Sequence, residues 1–426
     1  MSLKRFLQDR RGAITPMFAL AIVPVVGLTG AAIDYSRANS VRAAMQAAAD
    51  ATALMLSKDA SSLTASQLTT KASAYFQAMF NRPEAKSLTI TPTYTTTGGS
   101  QLTITASASV DASFMKLMGY PQLNIGTNAT VKWGNSRLRV ALVLDNTGSM
   151  SSDGKMTALK TATNNLLTQL KNAATNNGDV YVSIIPFAKD VNVGSSNYNA
   201  SWIDWTSWDS DNQTCSWSWW GSNCSAANHN TWNGCVTDRG NSNGPNSGNY
   251  DTNVVAPSSS SATKFAAEEY SSCPQAVMPL SYNWSSMTTL VNNMSPNGNT
   301  NQGIGLAHGW MSLVGGGPYP TPPAMDPNYT YQQVIILLTD GLNTENRWYT
   351  NQNSIDTREA LTCANIKAAG ITLYTIQVNT GGDPTSTLLQ NCATDSSKFF
   401  LLTSANQIVA TFNQIGTALS QLRIAR

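Results

Sequence analysis

The chain has 426 residues, enough at about 150 residues per domain for two or three domains. Hydrophobic residues make up 42% and charged residues only 12%, so the chain can bury a core and is not of the disordered, charge-rich class. The net charge of +2, from 26 basic and 24 acidic residues, is too small a field to grip a phosphate backbone, and two distant histidines, His229 and His308, exclude a multi-histidine metal site.

Residues 12–33 carry no charge over 22 positions. As a helix at ~1.5 Å per residue they reach about 33 Å, which matches a hydrocarbon core of ~30 Å. Lys4, Arg5, Arg10 and Arg11 precede this stretch, and only Arg37 and Arg42 follow closely. The positive-inside rule then makes residues 1–11 a cytoplasmic tail, 12–33 a single transmembrane helix, and the remainder exported. A cleaved secretory signal is the other reading. The apolar stretch exceeds the usual ~7–15 residue core of a signal, and no small-x-small site ends it.

Residues 34–135 read as a small α+β module. From Asp34 to about Arg82 the sequence is helical, with an alanine-rich run at 41–49 that lacks Gly and Pro. Ser87–Thr97 and Gln101–Val110 are rich in Thr, Ile, Val and Tyr and flank Gly98-Gly99, the pattern of a hairpin. A short helix over 111–118 and a third strand over 124–133 complete the module.

Residues 136–426 alternate between strands and helices. Val140–Leu144 and Val334–Leu338 are continuous apolar runs, as expected of central parallel strands, and Val180–Phe187 and Ile371–Val378 are further strands. Helical spacing marks 156–170, 357–369 with Gly370 as its stop, and a last helix after Ser404 with Ile408, Phe412, Ile415, Leu419 and Leu422 on one stripe. The prediction is an α/β fold, a doubly wound, mostly parallel sheet. Residues 190–286 interrupt it. Seven of the eleven tryptophans lie within 188–262 among Asn, Ser and Gly, the composition of a disulfide-tied insertion. Its indoles are expected to pack within the insertion, with stacking on surface sugars as the alternative.

All six cysteines follow the apolar stretch, an even count outside the membrane that reads as up to three disulfides. Proximity pairs Cys215 with Cys224, Cys235 with Cys273, and Cys363 with Cys392, out of fifteen connectivities. Buried free thiols are the alternative. No Cys-x-x-Cys is present, so zinc and redox motifs are unsupported.

One constellation carries chemistry. The first buried strand runs into Asp145-Asn146-Thr147-Gly148-Ser149, and the second into Thr339-Asp340-Gly341. Ligands of open α/β sheets bind beyond the carboxyl ends of the strands. Asn299-Thr300-Asn301, ahead of a helix, can add a third hydroxyl. Two carboxylates and three hydroxyls make an all-oxygen shell suited to Mg²⁺ or another hard divalent cation such as Mn²⁺ or Ca²⁺. A vacant position in that shell would accept a partner's Asp or Glu carboxylate.

These residues resemble the metal-ion-dependent adhesion site of von Willebrand factor A domains. That family carries Asp-x-Ser-x-Ser, a threonine from a second loop and an aspartate after a later strand. The resemblance implies Asp145, Thr147, Ser149, Thr300 and Asp340 as ligands, with Thr147 where serine is usual. The whole chain resembles TadG-like proteins of Flp/Tad pilus assembly. The matching residues are Arg10–Ile14, Asp34-Tyr35-Ser36-Arg37, Met45–Ala51, Trp232–Val236, Cys273-Pro274, Met278-Pro279-Leu280 and Gly298–Gln302. The resemblance implies a single-pass protein of the bacterial inner membrane with a pilin-like module. Its main domain would be periplasmic or surface-directed and would bind other pilus-assembly or envelope proteins. Met17 stands where pilin-like relatives carry a glutamate, so prepilin processing is not expected. A scaffold without a metal-bridged ligand and a pilus-independent surface adhesin are the alternatives. An enzyme is not expected: Gly240-Asn241-Ser242-Asn243-Gly244 matches G-x-S-x-G but lies in a loop, and no Walker motif is present.

Overall fold

The computed structural model describes residues 14–96, 100–133, 136–174, 176–240, 253, 256–327 and 329–424. The chain divides into two compact units, Met1–Asn135 and Ser136–Arg426.

The first unit contains α1 (Ile14–Leu56), α2 (Ala65–Met79), and β1 (Ala85–Thr95), β2 (Ser100–Asp111) and β3 (Gln122–Trp133) in an antiparallel sheet of that order. Val41, Met45, Ala48, Ala49, Ala53 and Leu56 recur at helical spacing on α1. They bury against Leu102, Ile104, Ala106, Ala108 and Val110, the alternate residues of β2. Thr64 and Gln67 form a capping box that starts α2. The expected Gly98-Gly99 turn lies outside the described residues.

The helix expected over 111–118 is only a 3-10 turn at Met115–Met118. The buried carboxylate of Asp34 accepts the N–H groups of Met115, Phe114 and Ser113 at 2.8, 2.8 and 3.0 Å and pins the connection from β2. The Met115 bond is foremost in holding this carboxyl below its usual range. On the N-terminal part of α1, Met17, Phe18, Leu20, Val23 and Leu28 are exposed. Among the described residues no helix is long and apolar enough to cross a membrane. Residues 12 and 13 of the expected span lie outside them.

The second unit opens with β4 (Ser136–Asp145), α3 (Lys155–Ala173), β5 (Val180–Phe187), β6 (Val191–Asn192), β7 (Ile203–Asp204) and α4 (Thr206–Asp211). It continues with β8 (Gln213–Ser218), β9 (Gly221–Ala226), β10 (Cys235–Thr237), β11 (Phe265–Glu268), β12 (Met278–Ser281), α5 (Trp284–Asn293) and α6 (Gln302–Val314). It closes with β13 (Thr330–Thr339), α7 (Gln352–Ala368), β14 (Thr372–Val378), α8 (Thr387–Cys392), β15 (Phe399–Leu402) and α9 (Asn406–Ile424).

The main sheet has the order β15-β14-β13-β4-β5-β6-β10-β11-β7, and β12 pairs with β5. The five strands from β15 to β5 are parallel. Both faces are covered, which is why β4 and β13 read as unbroken apolar runs. Leu138, Val140, Leu142 and Leu144 join one core with Leu159, Met287 and Phe412 of α3, α5 and α9. Ala141 and Val143 join the other with Ile304 of α6 and Ile366 of α7. Of the predicted stripe on α9, Ile408, Phe412, Ile415 and Leu419 are buried, and the side chain of Leu422 lies outside the described residues.

Two expectations change. The 190–286 insertion contributes β6, β7, β10 and β11 to the main sheet and β12 beside β5. Its tryptophans divide: Trp208 and Trp232 are buried, Trp202 and Trp205 pack partly against them, and Trp217, Trp219 and Trp220 stand 84%, 98% and 94% exposed on the β8–β9 hairpin. Helix α7 begins before Thr357, because Asn351 caps it by accepting the Ser354 N–H.

The disulfides are Cys215–Cys224 across the hairpin, Cys235–Cys273, and Cys363–Cys392 between α7 and α8.

Candidate metal centre

Asp145 ends β4 and Asp340 follows β13. Strand β4 lies between β5 and β13, so the strand order reverses there and opens a crevice at the carboxyl edge. Helix α6 covers this part of the sheet closely. A Cβ on Gly305 would meet Val143 Cγ1 at 2.9 Å and Phe187 at 2.8 Å, and one on Gly309 would meet Val143 Cγ2 at 2.5 Å. That approach sets the 297–301 loop, which leads into α6, beside the Asp145 loop. The Gly148 N–H donates to Gly298 O at 2.9 Å and the Asn297 N–H to Asn146 O at 2.8 Å.

Asp145 is fully buried. Its Oδ1 accepts from the Thr147 N–H at 2.8 Å and from Thr147 Oγ1 at 2.6 Å, and its Oδ2 accepts from Thr339 Oγ1 at 2.7 Å. Ser149 Oγ donates to Asp340 Oδ1 at 2.6 Å, and Lys155 Nζ to Asp340 Oδ2 at 2.5 Å. Burial, and then the charge of Asp340, push the Asp145 carboxyl up to about 6.

Thr147 Oγ1 and Ser149 Oγ lie 3.0 Å apart. An ionised carboxylate only accepts, so each hydroxyl directs its single proton to a carboxylate. The two oxygens then face each other with no proton between them. Facing lone pairs beside two carboxylates are a donor set that a hard cation satisfies. One ammonium, Lys155, stands against the two buried carboxylates and leaves a negative charge for such a cation to balance.

The structure thus brings Asp145, Thr147, Ser149 and Asp340 together: Thr147 bonds Asp145, Ser149 bonds Asp340, and the Asp340 N–H donates to Asp145 Oδ2 at 3.4 Å. Thr300 is placed differently. Its loop adjoins the site, its N–H donates to Thr344 Oγ1 at 2.8 Å, and its carbonyl accepts from Thr344 and Glu345. Its hydroxyl bonds none of the other four residues.

Two participants were missed in the sequence. Thr339 reads there as the last strand residue. Lys155 reads as a helix-start lysine, and its only signal is the preceding Asp153-Gly154. Both of those residues have positive φ, 56° and 72°, and reverse the chain so that the first residue of α3 is buried at the rim. Residues 241–244 of the G-x-S-x-G match lie outside the described residues.

Residues 12–55 match the TadE/G-like family of Flp pilus assembly, and residues 250–414 match the von Willebrand factor type A domain. The chain thus carries, in order, a segment that matches the TadE/G-like model and a stretch that matches the von Willebrand factor type A model. The stretch matched to the A domain contains Thr300 and Asp340. Asp145, Thr147 and Ser149 precede it and are brought to the same rim by β4.

Among solved structures, the A-domain chain is similar to the pilus adhesin SpaC of Lactobacillus rhamnosus GG in its open conformation, at 14% identity and a TM-score of 0.37. That alignment covers 79% of this chain and 34% of the adhesin, so the chain spans about a third of the adhesin's length. The vWF domain of the type V pili tip protein Mfa5 from Porphyromonas gingivalis aligns at 10% identity over 68% of this chain and 97% of that one, with a TM-score of 0.39. Proximal thread matrix protein 1 from the mussel byssus, with a zinc-occupied MIDAS motif, aligns at 12% identity over 68% of this chain and 47% of that one, with a TM-score of 0.36. Likeness at these scores decides nothing about function. No curated protein matches the chain.

Proposed function

We propose that this pilus-associated protein binds a protein partner through a divalent cation at the carboxyl rim of its A domain. The pair of hydroxyl oxygens at 3.0 Å, whose protons are both committed to carboxylates, is the observation that carries this reading. Asp145, Thr147, Ser149 and Asp340 would hold the ion, directly or through waters. Thr300 would turn its hydroxyl inward from the adjoining loop. Mg²⁺ suits the all-oxygen set and retains water, leaving a position for an Asp or Glu of the partner. Binding rather than turnover is the proposed activity.

Membrane anchoring by 12–33 belongs to the same proposal. The exposed apolar side chains at 17, 18, 20, 23 and 28 point around the helix rather than along one stripe, the pattern of a helix bathed in lipid. The exported side of the inner membrane is then the location of the A domain, where its three disulfides persist. The partner would be another pilus-assembly or envelope component.

Calorimetric titration of the full chain in detergent with Mg²⁺, Mn²⁺ and Ca²⁺ tests the site. Saturable binding that Asp145→Ala abolishes is expected. Wild-type protein that takes up none of the three ions would overturn the reading. The scaffold alternative draws on Lys155, which already balances Asp340. It predicts a melting temperature raised by Mg²⁺ with no metal-dependent partner.

A further inference from the structure

Lys155 is 5% exposed, and the side chain of its partner Asp340 is fully buried. A buried ammonium is costly unless it is paired, so this contact holds the lysine in place. Both Asp340 oxygens are committed, Oδ1 to Ser149 and Oδ2 to Lys155. The reversal at Asp153-Gly154 aims the lysine inward, and Asp153 is itself anchored by Thr380 Oγ1 at 2.9 Å. A divalent ion that recruits Asp340 must therefore either take an oxygen from the ammonium or sit within a few ångströms of a like charge.

We infer that Lys155 is a tethered counter-ion that holds the rim together when no metal is bound and competes with the divalent cation for Asp340. It deepens the proposed metal site and rests on that reading. The lysine does two opposing things. With the ion absent, it balances the charge of Asp340 and holds that carboxylate in place beside Ser149. With the ion arriving, it must release Asp340 Oδ2, so it lowers affinity and makes loading conditional on a local rearrangement. A partner carboxylate that entered the vacant position would also offer the displaced ammonium a new counter-charge. Metal loading and partner binding would then reinforce each other.

The test is Mn²⁺ binding to the full chain in detergent, read from the free-ion electron paramagnetic resonance signal, for wild type, Lys155→Met and Lys155→Arg. Removing the ammonium should tighten Mn²⁺ roughly tenfold or more, because a like charge a few ångströms away no longer opposes the ion. Lys155→Arg should stay within about threefold of wild type, since it restores the charge. The melting temperature is a second readout. Lys155→Met should melt lower than wild type without metal and gain more from Mn²⁺. If the Met variant does not fold without metal, Lys155→Gln purified with Mn²⁺ and then stripped by chelator carries the same comparison. Wild type that binds Mn²⁺ while the uncharged variants bind equally or more weakly overturns the role of Lys155 and leaves the metal site standing. Failure of every form to bind Mn²⁺ overturns both.

Discussion

The sheet rim and the Cys215–Cys224 hairpin both invert the ordinary partition of a protein, in opposite directions. At the rim, two carboxylates and an ammonium lie buried. On the hairpin, three indoles stand in solvent, and every residue of β8 and β9 is exposed. The rim is held by everything around it: parallel strands, two helix layers and the close approach of α6. The hairpin has no core, and its strands are held by their own ladder and one covalent bond. Damage at the rim should therefore spread through the domain, and damage at the hairpin should stay local.

The largest expected effect tests the rim. Asp340→Ala leaves the Lys155 ammonium buried without its partner and should destabilise the A domain by about 3–5 kcal/mol in denaturant unfolding without metal. A loss under about 1 kcal/mol would show that the lysine simply swings out to solvent, and would weaken the contrast between the two regions.

The disulfides sharpen the contrast next. Cys363→Ala with Cys392→Ala removes a link between two core helices and should cost about 3–4 kcal/mol of global stability. Cys215→Ala with Cys224→Ala should leave the global midpoint nearly unchanged and create a protease-sensitive segment near 213–226. A global loss from the hairpin pair would mean that the hairpin is coupled to the core.

A pH scan reaches the interior beneath the rim. Glu359 is fully buried, and burial pushes its carboxyl up to about 8, with the Asn343 amide partly opposing and Asp356 adding to the shift. Between the ordinary value near 4.5 and about 8 the native state holds a proton that the unfolded chain has released, so stability falls as pH rises through that window. His308 works in the opposite sense. Burial, then the charge of Arg239, lower it to about 3, so its contribution rises with pH and is complete by about 6.5. Above pH 6.5 Glu359 contributes to the fall, and Asp190, whose carboxyl burial and then the charge of Glu268 also raise, acts in the same direction. From there to pH 8 the domain should lose about 1–2 kcal/mol, read from melting curves. Glu359→Gln should flatten that slope.

The smallest effect belongs to the hairpin. Trp217→Ser, Trp219→Ser and Trp220→Ser should each change stability by less than about 0.5 kcal/mol, whereas Trp232→Ala in the second core should cost about 3–5 kcal/mol. Equal losses at both positions would erase the distinction drawn between them.

Much of this protein was legible from local patterns. Unbroken apolar runs at 140–144 and 334–338 announced strands covered on both faces, and carboxylates directly after such strands announced a rim. Those signals survive because they depend on a few consecutive residues and on the periodicity of burial. The tryptophans of 190–286 were not legible as two populations. Composition is the same for the buried indole on α4 and one at a hairpin tip, and only the tertiary path separates them. Asp34 likewise reads as a charge after an apolar stretch, yet it anchors three backbone amides about eighty residues away.

The sequence alone determined the alternation of strands and helices and the carboxylates that follow its two buried strands, since each depends on short-range order, and it left the disulfide pairing among fifteen connectivities. Only the folded chain decided that Lys155 faces Asp340 across 185 positions, that the Thr147 and Ser149 hydroxyls meet at 3.0 Å, and that the Thr300 N–H is held by Thr344. Those outcomes depend on how closely α6 and α3 settle on the sheet, and such distances are set by packing of the whole domain rather than by any segment of it.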